Sequence, residues 1–184
     1  MAISEISRII IYTLKFHLRY IFFTMEVEKF KEKHWLEAAK IYQAGVDTKN
    51  ATFRNQIPSW ENWNATHHQH SRFVVVENKN VLGWCAISPV SERKEYRGVA
   101  EVSVYVSLSS LGKGLGSLLM KSLIKSSEEN GIWTLYSSLF PENKGSVHLH
   151  LKNSFRCIGK REKIAQQDGI WRDTVLFERR SKML

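Results

Sequence analysis

Between residues 101 and 107 apolar and polar positions alternate without a break, Val102, Val104 and Val106 interleaving with Ser103, Tyr105 and Ser107. A period of two predicts a half-buried strand, which Gly112, Gly114 and Gly116 end before an apolar run at helical spacing begins. Upstream, Val27 and Phe30 predict a short strand, and Trp35, Ala38, Ala39, Tyr42 and Val46 recur as on a helix, followed by a loop over residues 47–58 around Phe53. Ser59, behind Pro58 and with Asn62 three residues on, starts a second helix through Asn64 into His67, His68 and His70. The runs RFVVVE (72–77) and VLGWCAISPV (81–90) predict a hairpin across Asn78, Lys79 and Asn80, and residues 91–97 a polar connection. Downstream, Leu118, Leu119, Met120, Leu123 and Ile124 give a helix one apolar face, ended by Asn130 and Gly131. A strand over 132–140, a turn at Pro141, Glu142 and Asn143, and a short helix over 146–151 follow. Residues 155–158 and 174–178 are closing strands, separated by a loop and a turn at Gln167, Asp168 and Gly169. Mixed strands with interspersed helices predict an α/β (α+β) sheet carrying helices on both faces.

Composition narrows this picture little. With 184 residues, 43% of them hydrophobic, the chain has room for one domain with a real core. A net charge of +9 and a pI near 9.6 favour an anionic partner. The basic residues are scattered and form no run, which argues against nucleic acid and leaves a polyphosphate cofactor or an acidic small molecule. Cys85 and Cys157 lie in apolar strand-like contexts and are expected as reduced core residues in a cytoplasmic protein; without a CxxC or His/Cys cluster, no metal is expected. His67, His68 and His70 have polar neighbours and no carboxylate at ligand spacing, so they are read as a solvated helix end.

Residues 1–24 stand apart from the domain expected over 25–184. The segment 9–23 is apolar and aromatic, yet it holds Lys15, His17 and Arg19 and falls short of the about 20 residues that span a bilayer. It reads either as an extension outside the fold, Met25 being a second possible start, or as an amphipathic helix for a membrane surface or a partner. Without these residues 24 basic and 17 acidic side chains remain, so the domain keeps +7.

The strand, glycine loop and helix of residues 101–117 form a phosphate cradle by themselves. Glycines let backbone approach an anion, and the first amides of a helix are unpaired donors at the positive end of its dipole.

The VSVYV strand leading into LGKGLG, and FPEN followed by a helix and an aromatic before a basic strand, resemble the GNAT acetyltransferase superfamily. The segments NATF (50–53), PSW (58–60), GVAEVSVYV (98–106), GIWTL (131–135), FPEN (140–143) and DGIWRD (168–173) are similar to its phosphinothricin acetyltransferase branch, which N-acetylates small amino-acid-like substrates. The resemblance implies a mostly antiparallel mixed sheet splayed at its central strands, with acetyl-CoA in the gap. It implies pantetheine on the backbone of Val104, Tyr105 and Val106, with residues 133–137 as the strand across the gap. Pyrophosphate would meet the amides of Gly112, Gly114, Leu115, Gly116 and Ser117, with Lys113 adding charge, and Asn143 and Ser146 would lie near the pantetheine arm. Leu111 replaces the Arg or Gln that opens the family loop, which implies weaker CoA affinity. Homodimerisation is common in the branch and expected here.

The same resemblance implies that Glu101 is the general base for an attacking amine and that His150 protonates the leaving thiolate or polarises Glu101. Read without it, Glu101 is equally a surface strand residue paired with a cation, and His150 a satisfied helix histidine. Phe53, Arg93 and Tyr96 match acceptor-binding positions, with Arg97 a second candidate beside Arg93; either arginine could hold a substrate carboxylate or be a solvated loop cation. Cys85 reads as an inert buried thiol, since direct attack needs no acyl-enzyme. The expected activity is acetyl transfer to the amine of phosphinothricin, methionine sulfoximine, methionine sulfone or an ordinary amino acid. The alternatives are a non-catalytic CoA-sensing module and a membrane-surface or partner-binding protein acting through residues 9–23.

Overall fold

Two tight turns show how the backbone realises the strand pattern. Asn78 and Lys79 both adopt left-handed conformations (φ 50° and 69°), as do Asp168 and Gly169 (φ 51° and 78°), which is what a two-residue hairpin turn needs to follow the strand twist. In the computed structural model, which describes residues 25–184, they join β2 (Phe73–Glu77) to β3 (Asn80–Pro89) and β6 (Arg156–Gln167) to β7 (Ile170–Arg180). With β1 (Glu26–Lys29), β4 (Val99–Val106) and β5 (Thr134–Leu139) they form a seven-stranded sheet in the order β1-β2-β3-β4-β5-β7-β6. Every neighbouring pair is antiparallel except β4 with β5. Four helices complete the described residues: α1 (Trp35–Asp47), α2 (Trp60–Thr66), α3 (Leu115–Glu129) and α4 (Lys144–Lys152). The reading of residues 9–23 lies outside them.

Alternation along β4 sorts the core into two layers. Ala100 and Val102 pack with Leu115, Leu119, Met120 and Leu123 of α3, and with Leu135 and Phe177 of the neighbouring strands. Tyr105 faces the other way, toward Ala38, Tyr42 and Val46 of α1, Trp63 of α2, and Trp84. Glu101 and Ser103 share that second face by strand parity. Ser59 caps α2 as expected, its hydroxyl accepting the Asn62 amide at 3.3 Å.

The parallel pair is short. Val99, Ala100 and Glu101 stand opposite Thr134, Leu135 and Tyr136, and beyond that row β4 has no partner on this side. From there β4 follows β3 as far as the Val106–Gly83 pair, while β5 follows β7 as far as Leu139–Val175. Each strand is held on its outer edge only, so the sheet opens between them.

Several expectations need correction. The loop expected between residues 158 and 174 is two continuous strands, because pairing with β7 holds β6 although it is exposed over nearly its whole length and shows no apolar alternation. Leu118 is 37% exposed while Leu115 is buried, so the inward stripe of α3 begins one turn earlier than predicted. Cys85 is buried, but Cys157 is exposed and not a core residue; both are free. The histidines after α2 are half-buried packing groups and not a solvated end: His67 stacks on Trp63 at 4.4 Å with its Nδ1 2.7 Å from the Trp63 carbonyl, and the His68 and His70 rings lie 4.9 Å apart.

Candidate active site

The cradle predicted from glycine spacing takes shape at the end of β4. A short turn (Leu108–Ser110) leads to Gly112 and Gly114, both with positive φ (77° and 80°), and Gly114 caps α3. The first bond of the helix runs from the Leu118 amide to the Gly114 carbonyl at 3.1 Å, so the amides of Leu115, Gly116 and Ser117 have no acceptor within the helix. At Gly116 an added Cβ would come within 3.2 Å of Leu149, so glycine lets α4 pack against the start of α3. Leu111 and Lys113 are exposed beside this loop. The Tyr105 ring is stacked on Trp84 at 4.8 Å and tilted against Tyr42 at 4.6 Å, so what Tyr105 offers the opening, like Val104 and Val106, is backbone.

Glu101 is the last β4 residue paired with β5, so it stands where the strands part. No hydrogen bond or ion pair among the described residues involves its carboxylate. Burial pushes that carboxyl above the usual glutamate range, and the nearby charge of Arg161 draws it partly back. Arg161 was missed in the sequence, and no local signal could have found it. The β6 register sets it opposite Thr174, on the same sheet face as Glu101, and only tertiary pairing reveals that.

His150 is situated otherwise. Its ring is 3% exposed, with Nδ1 2.8 Å from the Ser146 carbonyl and Nε2 2.8 Å from the Ser137 hydroxyl. A carbonyl can only accept, so Nδ1 carries the proton and Nε2 accepts from Ser137. Burial holds its pKa below the usual histidine value, keeping it neutral. Ser137 alternates with Tyr136 on β5, so the ring lies across the sheet from Glu101, edge-on to Phe155 at 4.9 Å. In this arrangement the His150 ring and Glu101 stand on opposite faces, and both ring nitrogens are engaged by Ser146 and Ser137.

Asn143 caps α4, its Oδ1 accepting the Ser146 amide at 3.1 Å, while its Nδ2 donates to the Asn50 carbonyl at 2.9 Å. Phe53 is half-buried, edge-on to Phe140 at 4.7 Å. Arg93 and Tyr96 are exposed in the connection before β4. Arg97 lies over Trp133 at 5.2 Å and donates to the Lys94 carbonyl at 3.3 Å, so it is the more committed of the two arginines. Burial raises the pKa of the Cys85 thiol, which stays protonated beside the Leu119 carbonyl.

The sequence profile of the acetyltransferase (GNAT) family matches residues 32–155. The chain belongs to that family. Among curated relatives, it is 29% identical over 103 residues to the phosphinothricin N-acetyltransferase of Streptomyces coelicolor, covering 56% of this chain and 60% of that one. It is 30% identical over 98 residues to the L-methionine sulfoximine/L-methionine sulfone acetyltransferase of Pseudomonas aeruginosa, covering 53% and 57%. The chain thus spans less than two thirds of these relatives' length. A family phosphinothricin acetyltransferase from Sinorhizobium meliloti, solved in complex with AcCoA, shares the fold with a TM-score of 0.76 at 22% identity over 85% of this chain and 88% of that one.

Proposed function

We propose that this chain transfers acetyl from acetyl-CoA to the amino group of a small amino acid or close analogue, of the phosphinothricin, methionine sulfoximine or methionine sulfone type, by direct attack in a ternary complex. One observation carries the reading: a half-buried carboxylate, Glu101, with no hydrogen bond or ion pair among the described residues, stands where β4 loses its neighbour. The unpaired edge of β4 from Val102 onward suits an amide-bearing pantetheine arm, and the free amides of Leu115, Gly116 and Ser117 behind Gly112 and Gly114 suit a pyrophosphate, with Lys113 at the rim. Asn143 and Ser146 act here through the start of α4.

The chemistry asks the protein for one proton transfer before attack. An ammonium group cannot attack, so Glu101, directly or through a water, takes a proton from it. A carboxyl whose pKa lies above the ordinary glutamate value is, when ionised, a stronger base than an ordinary one. The neutral amine then forms the C–N bond as the C–S bond breaks, its nitrogen gives up a second proton to solvent to become the amide, and the CoA thiolate takes up a proton from solvent. Phe53 and Tyr96 flank the acceptor, and Arg93, whose guanidinium has no partner among the described residues, holds its carboxylate. Arg97 supports that connection from Trp133.

The test is a free-thiol assay of acetyl-CoA turnover over amino acids, their sulfone, sulfoximine and phosphinic analogues, and matched amines lacking a carboxylate. Thiol release with the amino-acid-like acceptors, slower with the matched amines, is the expected result. Failure to release thiol with every amine tested overturns the reading in favour of a CoA-binding module.

A further inference from the structure

The loop after α1, which carries Phe53, is tied down by residues more than a hundred positions away. Arg172, next to the turn of the β6–β7 hairpin, donates from Nη1 to the Lys49 carbonyl at 2.9 Å and to Gln167 Oε1 at 2.9 Å. Its Nη2 reaches Glu142 Oε2 at 3.3 Å. Gln167, 6% exposed, donates in turn from Nε2 to the Thr52 carbonyl at 2.9 Å. The guanidinium also lies over the Phe140 ring at 4.0 Å, and the other neighbour of that ring is Phe53. Lys49 holds a left-handed backbone (φ 54°) and closes an ion pair with Asp168 at 3.2 Å. On its opposite side the loop is held by Asn143, which caps α4.

We propose that Arg172 is a positioning residue for acceptor recognition: acting with Gln167 through Phe140 and the carbonyls of Lys49 and Thr52, it fixes Phe53 at the acceptor side of the opening. The inference rests on the acetyltransferase reading and on Phe53 as an acceptor contact. A loop backbone fixed by a hairpin tip cannot shift to suit each acceptor, so selectivity among side chains of different size depends on this clamp. Only the guanidinium fork can serve two carbonyl-type oxygens, a carboxylate and a ring face together.

The test uses the full chain with Arg172→Met, which keeps the stem over Phe140 but removes every donor, and Arg172→Lys, which restores one. Arg172→Met should raise the acceptor KM about tenfold, the scale of one lost charge-assisted hydrogen bond, while kcat at saturating acceptor and the Kd for acetyl-CoA hold. Arg172→Lys should recover part of the loss. Phe53→Ala should raise the same KM, yet add little in the Arg172→Met background, because the two residues act as one unit. Hydrogen exchange at the amides of residues 50–54 should quicken in Arg172→Met with the sheet unchanged. Additive effects of the two substitutions, or an equal loss of acetyl-CoA affinity, would overturn the positioning role. Unchanged exchange over residues 50–54 would overturn the clamp itself. A chain inactive toward every amine sinks the acetyltransferase reading and the acceptor role with it, while the exchange result still decides whether the clamp exists.

Discussion

Two ionisable side chains, His150 buried and Glu101 half-buried, lie on opposite faces of the sheet where it divides, and they are treated in opposite ways. On the α3–α4 face His150 has both ring nitrogens paired and a fixed tautomer. On the other face Glu101 is half-buried, with no hydrogen-bond partner of its own among the described residues. A buried polar group whose bonds are all filled specifies a fold; one left unfilled is a standing cost that a protein keeps where chemistry uses it. On the proposed reading the contrast gives His150 a structural role and Glu101 the reaction, and three measurements can break or sharpen it.

The largest effect should come from Glu101→Gln, which preserves shape and removes the base. Turnover should fall about 10²- to 10⁴-fold, the range of general base catalysis, with acetyl-CoA binding unchanged. In the parent protein the acidic limb of kcat/KM should lie above the ordinary glutamate pKa of about 4.3, as burial of the carboxyl requires, and the variant should lose that limb. Unchanged turnover across pH removes Glu101 as base and dissolves the contrast.

His150→Ala should act on stability. It opens a cavity beside Phe155, leaves the Ser137 hydroxyl without its partner and removes the side-chain bond to the Ser146 carbonyl, for a loss of about 2–4 kcal/mol in denaturant unfolding. Turnover of the molecules that remain folded should stay within about threefold of the parent, since no interaction made only in the transition state is removed. A turnover loss of about 100-fold with an unmoved unfolding midpoint would make His150 the acid and reverse its assignment.

The two residues also differ in how far a linear reading reaches them. The place of Glu101 at the start of β4 was legible because alternation marks the strand and glycines mark its end, whereas its role as base came only from the family resemblance. What His150 does was not legible, because its partner Ser137 lies on a strand thirteen positions away and which face that strand turns to α4 is a tertiary fact. The same boundary separates the α1, α2 and β2–β3 segments, whose periodicity announces them, from β6, whose side chains are exposed and whose strand state is imposed by β7. Arg161 and Arg172 both sit in that β6–β7 hairpin, which is why the charge beside Glu101 and the clamp on the Phe53 loop escaped a reading by pattern. Leu115 escaped for a smaller reason: the glycine loop hid the first turn of α3.

The smallest effect is thermodynamic and follows from the raised carboxyl. Between the unfolded glutamate pKa of about 4.3 and the higher folded value, the folded protein binds the proton more tightly than the unfolded chain. The Glu101 contribution is therefore fully present at lower pH and is lost as pH rises through that window. Glutamine does not titrate, so Glu101→Gln should melt at a slightly higher temperature than the parent at neutral pH, and the difference should close below about pH 4. The lowered pKa of His150 works with the opposite sign, its contribution being present above about pH 6.5 and lost on acidification, but it is common to both proteins and cancels in the comparison. Melting curves of the two proteins across pH 4 to 8, read as a difference, isolate the carboxylate. A difference that does not change with pH would mean Glu101 is solvated when folded, which would leave both its strength as a base and its contrast with His150 without a cause.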